Sequence, residues 1–371
     1  MTPNNPTLFI STLFHDIRSI ENIVENVDQC LIAPQHRVRL AVLASSHDVV
    51  EVLQKIRGIK VKILHQDTHQ FILCSIKSQI KNEAGAQDIE WLMVNYKSSG
   101  VLLIIALSTY DIFKNRILKL IRRLYPRISR VYFNTREIYS IIRGLEDGKE
   151  GVTIRLTKIV ANYRIHSRGA QKRIASAINW TDILYTEAFN NIFRDDAWVR
   201  SIEFTVQYEE NKMVYFSSGS ISRDGLISCR DNFRFFFYRI VSRALNKAIE
   251  DRTLFSNRGR EDNQNLKVRP LSIVFPVKVF QGTENNKKLI NALAKLPNSA
   301  LSVIHSNPYL HASMIDYQDG SSYRLWVLSE DRLIIAPQIR ATVASLERIF
   351  NHIGESFMEG NVIDFSGANN A

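Results

Sequence analysis

Two short stretches place histidine and carboxylate side chains at spacings that could bind a metal or serve acid–base chemistry. In HQDTH, the residues His65, Asp67 and His69 lie at i, i+2 and i+4. On a β-strand all three would point to one face, where imidazole and carboxylate groups could bind a metal such as zinc. Because the polar residues Gln66 and Thr68 separate them, we favour a strand end or turn as the explanation.

The second stretch is HSNPYLHASMIDYQDGSS, which contains His305, His311 and Asp316. Imidazole and carboxylate groups together could act as general acid and base or bind a metal. A structural role is favoured here too, because Asp319–Gly320 has the composition of a hairpin turn. Glu203, in the candidate strand SIEFTVQY, is a further carboxylate that a metal-dependent nuclease could use.

No sequence motif assigns a reaction to this chain. The motifs GxxxxGK[ST], GxGxxG, HExxH and GxSxG are all absent, so neither a phosphate loop nor a common hydrolase signature is present. The sequence therefore predicts no cofactor and leaves enzymatic activity open. A metal-dependent nuclease or related hydrolase remains an alternative, because scattered carboxylates would carry no motif.

The cysteines and the apolar runs predict a cytoplasmic protein. Cys30, Cys74 and Cys229 are far apart and form no CxxC pair, which favours reduced thiols over a disulfide framework. The longest apolar run, Gly100–Leu107, is far shorter than the roughly 20 residues that span a bilayer. The N-terminus has no secretion signal, so we expect no contact with a membrane.

Positive charge is concentrated in one part of the chain. The stretch from Lys114 to Arg136 contains eight basic residues and no acidic one. Residues 111–175 contain sixteen basic and five acidic residues, an excess that equals the net charge of +11 of the whole chain. The remainder is balanced in charge, so the sequence describes a neutral protein with one basic segment.

The basic segment begins with a predicted amphipathic helix over Ile112–Tyr125, which Pro126 ends. Five apolar residues recur at helical spacing and are predicted to face the core: Phe113, Ile117, Leu120, Ile121 and Leu124. Asn134 and Glu137 are spaced as a capping box at the start of a second, shorter helix. The basic side chains of the first helix therefore lie on its outer side.

These features predict a protein that binds nucleic acid, DNA or RNA, with little base specificity. Arginines outnumber lysines in the segment, and guanidinium groups bind phosphate in a bidentate manner. The predicted phosphate-binding residues are Arg116, Lys119, Arg122, Arg123, Arg127, Arg130, Arg136, Arg155, Lys158 and Arg164. Tyr125 and Tyr132 lie among them and are predicted to stack on bases. An adaptor whose basic face binds an acidic protein partner is the other alternative.

The order of elements predicts two domains with different architectures. Over residues 1–150, helix-like and strand-like patterns alternate, and Gly100–Leu107 is typical of a strand covered on both faces. This predicts an α/β domain with a mostly parallel sheet and flanking helices. Its segment Ala86–Gly100 is read as a helix, and a glycine-bounded acidic stretch, Gly144–Gly151, is taken as the domain boundary.

Residues 151–371 are predicted to form an α+β domain with antiparallel strands and packed helices. Two parts of it, at about 198–251 and 300–358, share the order of three strands followed by a helix. Either an internal duplication or the common hairpin-and-helix arrangement would produce this similarity.

Overall fold

The computed structural model describes eleven ranges of the chain: residues 19–30, 37–45, 49–67, 71–82, 85–147, 151–163, 176–178, 183–194, 197–210, 212–260 and 268–365. These residues form two compact units. The first takes its described residues from Met1–Ala161, Ser176–Ile192 and Val199–Glu250, and the second includes those from Asp251 onward. The division into domains at residues 1–150 and 151–371 stays a prediction about independent folding.

Twelve strands form the larger of two sheets. In chain order they are β1 (Val38–Ser45), β2 (Ile59–Gln66), β3 (Phe71–Asn82), β4 (Gly85–Tyr96), β5 (Val101–Leu107), β6 (Ile128–Arg130), β7 (Thr153–Tyr163), β8 (Ser176–Ile178), β9 (Ile183–Leu184), β10 (Ala197–Glu210), β11 (Met213–Ser222) and β12 (Leu226–Cys229). The spatial order is β2-β3-β4-β5-β1-β12-β11-β10-β7-β8, with β6 paired to β1 and β9 paired to β7. The central strand β1 is antiparallel to β5, β6 and β12.

The predicted α/β domain with a mostly parallel sheet is wrong. The segment read as a helix over Ala86–Gly100 is strand β4 and a turn, so β3, β4 and β5 form an antiparallel meander. Ile89, Leu92 and Met93 imitate helical spacing because both faces of β4 are buried there, and a strand covered on both faces shows no alternation of polar and apolar residues. Among the described residues of the first 150, no parallel-sheet domain is present.

Eight helices lie within the described ranges. They are α1 (Ile20–Cys30), α2 (Val49–Gln54), α3 (Tyr110–Ile112, a π-helical turn Phe113–Ile117, and Leu118–Arg123), α4 (Thr135–Arg143), α5 (Tyr185–Arg194), α6 (Phe233–Phe236, a π-helical turn Phe237–Val241, and Ser242–Phe255), α7 (Thr283–Leu293) and α8 (Val343–Ser356). Asn134 caps α4 through the predicted capping box, accepting from the N–H of Glu137 at 2.9 Å. Within the described part of the chain, no helix is long and apolar enough to cross a membrane.

The two faces of the larger sheet are covered by different helices. Ala41 and Leu43 of β1 belong to one buried cluster with residues of α2 and α3, and we call this side the α3 face. Val38 points the other way, in register with Cys229 of β12, which pairs in turn with Gly219 of β11. On that side the ring of Phe236 stacks on Phe204 at 6.0 Å, so we call it the α6 face.

The smaller sheet contains β13 (Leu271–Val274), β14 (Ser299–His305), β15 (Leu310–Asp316), β16 (Ser321–Ser329), β17 (Arg332–Pro337) and β18 (Asn361–Asp364) in the order β14-β15-β16-β17-β13-β18. Its consecutive pairs are antiparallel. Both predicted similar halves show three strands followed by a helix, namely β10–β12 with α6 and β15–β17 with α8. That this order reflects a duplication stays a prediction.

Candidate nucleic-acid interface

Helix α3 is fixed to the sheet by its apolar side. Thr109 caps its first turn, and Phe113, Ile117 and Ile121 are buried in the cluster that contains Ala41 and Leu43. The predicted helix over Ile112–Tyr125 is therefore present in outline. These apolar contacts cover one side of α3, so its basic residues lie on the side that faces solvent.

The π-helical turn changes which leucine of α3 is buried. In this turn the N–H of Leu118 donates to the carbonyl oxygen of Phe113, one residue more than in an α-turn. The extra residue rotates the following turn by about 100°. Leu118 is consequently buried, whereas Leu120, which the regular pattern predicted, is only partly buried against the same cluster.

Five basic residues of α3 and of the chain that follows it form a surface that we call the α3 cation cluster: Arg116, Lys119, Arg122, Arg123 and Arg127. All five are exposed. Within the part of the chain that the structure describes, none of them has a carboxylate within ion-pair distance. The cluster is thus a set of exposed cations on and after α3 that no carboxylate of the described residues neutralises.

Two other predicted phosphate-binding residues are already paired with carboxylates. Arg130 is half-buried and forms an ion pair with Asp224, which also accepts a hydrogen bond from the hydroxyl of Ser222 at 2.6 Å. The ammonium group of Lys158 lies 3.7 Å from a carboxylate oxygen of Glu203, with both side chains largely exposed. Since an exposed pair of this kind contributes little energy, Lys158 could exchange this partner for a phosphate far more readily than Arg130.

The sheet register decides which of these residues share a side of the molecule. Cross-strand partners point to the same face. Arg39 of β1 pairs with Ser228, Ser228 pairs with Ser220, and Ser220 pairs with Glu203, so these four side chains all point to the α3 face. Lys158, which reaches Glu203, is therefore on the side of α3. Arg155, also on β7, is exposed. Between Arg39 and Glu203 on this face, Ser228 is buried and Ser220 half-buried, and their hydroxyl groups are hydrogen-bonded at 2.7 Å.

Arg136 lies on the other side of the sheet. Its helix α4 contacts the π-helical turn of α6, and Lys247 of α6 forms an ion pair with Glu137 at 3.1 Å. Since α6 covers the α6 face, the sheet separates Arg136 from the α3 cation cluster. The predicted continuous basic surface is therefore divided between two sides. Arg164, the last predicted cation, lies outside the described residues.

The aromatic residues predicted to stack on bases are not on the open surface. Tyr125 and Tyr132 are both half-buried, and the hydroxyl of Tyr125 is enclosed. At the start of α3, the exposed aromatic residue is Tyr110, which is 52% exposed. The guanidinium of Arg39 and the ammonium of Lys114 lie 5.4 and 5.5 Å from its ring centroid.

Tyr110 was missed because it lies two residues before the predicted helix over Ile112–Tyr125. In the structure the helix begins at Tyr110, which gives Tyr110 and Lys114 the four-residue spacing at which side chains on one helix face meet. Arg39 could not have been found this way, because it comes from β1 and donates through Nε to the carbonyl oxygen of Ser108 at 3.1 Å. Burial and the nearby Arg37 lower the pKa of Arg39, but a guanidinium remains charged in proteins.

The first candidate metal site is not assembled by the described residues. The His65 ring lies against Phe71 with centroids 5.6 Å apart, and the backbone N–H of Asp67 donates to the carbonyl oxygen of Phe71 at 3.0 Å. These contacts fit the strand end that the polar neighbours indicated. His69 lies outside the described residues. Among the residues that the structure describes, no group of three or more potential metal-binding side chains occurs.

The second set of candidate catalytic residues is split between two faces of the smaller sheet. Asp316 is fully buried and accepts hydrogen bonds from Ser345 at 2.8 Å and from Nε of Arg348 at 3.1 Å. His311 is five positions away on the same strand, so its side chain points to the opposite face, where it pairs with His305 of β14. Asp316 and the two histidines therefore cannot act on one substrate.

Comparison with known proteins adds no assignment. No model of a known protein family matches this sequence, and no curated protein matches it either. The geometry of the chain's own residues is therefore the ground for a functional proposal.

Proposed function

We propose that this protein binds nucleic acid through the α3 cation cluster, with little base specificity. The observation that supports this is the contrast between two kinds of basic residue in one segment. Arg130 is neutralised by Asp224, whereas the five residues of the cluster are exposed and, among the described residues, have no carboxylate partner. A polyanion would supply the negative charge that the described residues do not place beside these cations.

The spacing within the cluster supports an external anion further. Lys119 is three residues from Arg116 and Arg122 and four from Arg123. Like charges at these helical spacings repel each other by a few tenths of a kcal/mol per pair. The repulsion is a small cost to the free protein, and it is relieved when phosphate groups lie between the cations.

The chemistry of the cations favours phosphate over a carboxylate surface. Four of the five cluster residues are arginines, whose planar groups donate two parallel hydrogen bonds to a phosphate. Carboxylates accept the same bidentate bond, so an adaptor that binds an acidic protein is the rival explanation. The described residues favour no hydrolase, because Asp316 and His311 point to opposite faces and Glu203 is paired with Lys158.

The salt dependence of binding tests this proposal. We expect labelled single-stranded and duplex oligonucleotides to bind with a log–log salt slope of about −0.7 or about −0.9 per contacted phosphate, respectively. If all five cluster residues contact phosphate, affinity for single strands falls roughly a hundredfold between 50 and 200 mM salt. Fluorescence anisotropy at four salt concentrations measures this slope.

The variant Lys119→Ala/Arg122→Ala/Arg123→Ala is the internal control for this measurement. Its slope should be smaller than that of the wild type by about two on single strands, since three phosphate contacts are removed. An unchanged slope would place the contacts elsewhere. Absence of any oligonucleotide affinity, with salt-sensitive binding to an acidic protein such as polyglutamate, would replace this proposal with the adaptor.

A further inference from the structure

The smaller sheet of the second unit has one covered face, and its other face is accessible only in part: there Ile334 and Ala336 of β17 and Ser272 of β13 are buried, so we call only the part on β14, β15 and β16 the open face. On the covered side Leu310, Met314 and Leu325 are fully buried. Helix α8 lies on that side, because its Ser345 hydrogen-bonds to the buried Asp316, and α7 contacts α8 through the Ala292 carbonyl oxygen and His352. The alternate residues of β15 and β16 are exposed or half-buried, so they face outward.

The open face carries a row of ring side chains across three neighbouring strands. His305 of β14 is paired with His311 of β15, which is paired in turn with Trp326 of β16. The rings of His311 and Trp326 are stacked with centroids 5.4 Å apart and planes inclined by 26°. His305 is exposed, while the other two rings are half-buried. Because the rings of His311 and Trp326 stack on each other, each covers one face of the other and Nε2 of His311 is enclosed, so the accessible part of the pair is its remaining ring surface, held in place by the strands.

The charge of this face matches a polyanion. Arg324, which is exposed, lies two positions from Trp326 on β16 and points to the same side. The six central residues of the face on β15 and β16 include no carboxylate: His311, Ser313, Ile315, Ser322, Arg324 and Trp326. The acidic residue of β15, Asp316, is turned to the covered side and paired with Arg348. These six residues thus place aromatic rings beside a cation and include no negative charge.

A single strand of nucleic acid fits these groups better than a duplex does. Bases of a single strand expose their π-faces for stacking on aromatic rings, whereas the bases of a duplex are already stacked on each other. Sheets with aromatic residues on an open face bind single-stranded RNA in this way. The exposed aliphatic residue Ile315 could contact the edges of bases or sugars, and Arg324 the phosphate between them.

We propose that the open face of the smaller sheet binds one or a few bases of a single strand by stacking on Trp326 and His311, with Arg324 contacting the backbone. This site involves only residues of the second unit and does not depend on the α3 cation cluster. The α3 cation cluster by itself binds the phosphates of single strands and duplexes alike, and the stacking site adds a preference for single strands.

The test measures binding of fluorescein-labelled hexathymidylate to the full-length chain by anisotropy. Trp326→Ala should weaken binding by about five- to 150-fold, the range found for loss of one stacked base. Trp326→Phe preserves a ring and should lose much less, which also controls for misfolding of the alanine variant. Arg324→Ala should reduce the log–log salt slope by about 0.7.

Two matched controls make the result specific. Tyr238→Ala removes an aromatic residue that is 44% exposed on α6, which covers the face of the larger sheet opposite to α3, and should leave the affinity unchanged. The Lys119/Arg122/Arg123 triple-alanine variant should still lose affinity on addition of Trp326→Ala. If hexathymidylate binds but Trp326→Ala and Arg324→Ala bind it as well as the wild type does, the stacking site is refuted while binding through α3 stands. If neither the wild type nor any variant binds hexathymidylate, both the stacking site and binding through the α3 cation cluster are refuted.

Discussion

Arg130 and Arg122 are basic residues of one segment, but their surroundings differ. Arg130 is half-buried beside Asp224, 94 residues further along the chain, and ties β6 to the turn between β11 and β12. Arg122 is exposed, with no carboxylate nearby among the described residues. Sequence alone treated the two alike, because a partner at that separation is visible only once the sheet is formed.

Asp316 shows the same limit for candidate chemistry. Its type and its neighbours in sequence allowed acid–base catalysis, although a structural role was favoured, and its contacts with Ser345 and Arg348 are those of a buried structural ion pair. Asp316 and His311 are five positions apart on β15, so the alternation of side chains along a strand puts them on opposite faces. This separation could have been predicted from the sequence if the bounds of β15 had been known. The hairpin turn at Asp319–Gly320 was correctly predicted, since Gly320 adopts a φ of 78°.

The structural role of Asp316 predicts a stability effect. Arg348→Ala leaves a fully buried carboxylate without its cation, so the free energy of unfolding should fall by about 3–5 kcal/mol. Urea denaturation followed by circular dichroism measures this. Lys287→Ala, which breaks the solvent-exposed pair with Glu284, is the matched control and should leave stability unchanged. A similar, small effect of both substitutions would show that the Asp316 pair does not stabilise the fold.

At the scale of elements, regular helices were predicted better than the sheet. Helix α4 was predicted from its capping box, and α3 from its apolar spacing, because both signals are local. Strand β4 was misread because its two buried faces remove the alternation that identifies a strand. The parallel sheet was inferred from the alternation of helix-like and strand-like patterns over residues 1–150, and it is wrong because β4 is a strand and β3, β4, β5 and β1 pair in an antiparallel manner. The π-helical turns have no sequence signal that we could have used.

The packing of α6 on the sheet predicts a second stability effect. A Cβ atom at Gly219 would overlap the buried ring of Phe236 and lie 2.9 Å from the carbonyl oxygen of Ser228. Gly219→Ala should therefore lower the free energy of unfolding by about 1–3 kcal/mol. Addition of Phe236→Leu makes room for the methyl group. The double variant should therefore lose less unfolding free energy than the sum of the losses in the two single variants. Strict additivity would argue against this contact.

For the whole molecule, the sequence predicted where the surplus charge lies along the chain but not where it lies in space. The excess over residues 111–175 is divided by the larger sheet, with the α3 cation cluster on one side and Arg136 on the other. What remains together is a compact group of five cations on and after α3. The open face of the smaller sheet was not predicted at all, because its rings come from three strands.

The most direct test of the central claim compares two variants with the same net charge. One carries Lys119→Ala, Arg122→Ala and Arg123→Ala in the α3 cation cluster, and the other carries Lys287→Ala, Lys288→Ala and Lys295→Ala on and after α7. At 100 mM salt, loss of three phosphate contacts should weaken binding of a 20-nucleotide single strand about a hundredfold in the first variant. The second should bind within about threefold of the wild type, since long-range charge effects are screened at this salt. Equal losses in both would show that net charge, and not the α3 surface, determines binding.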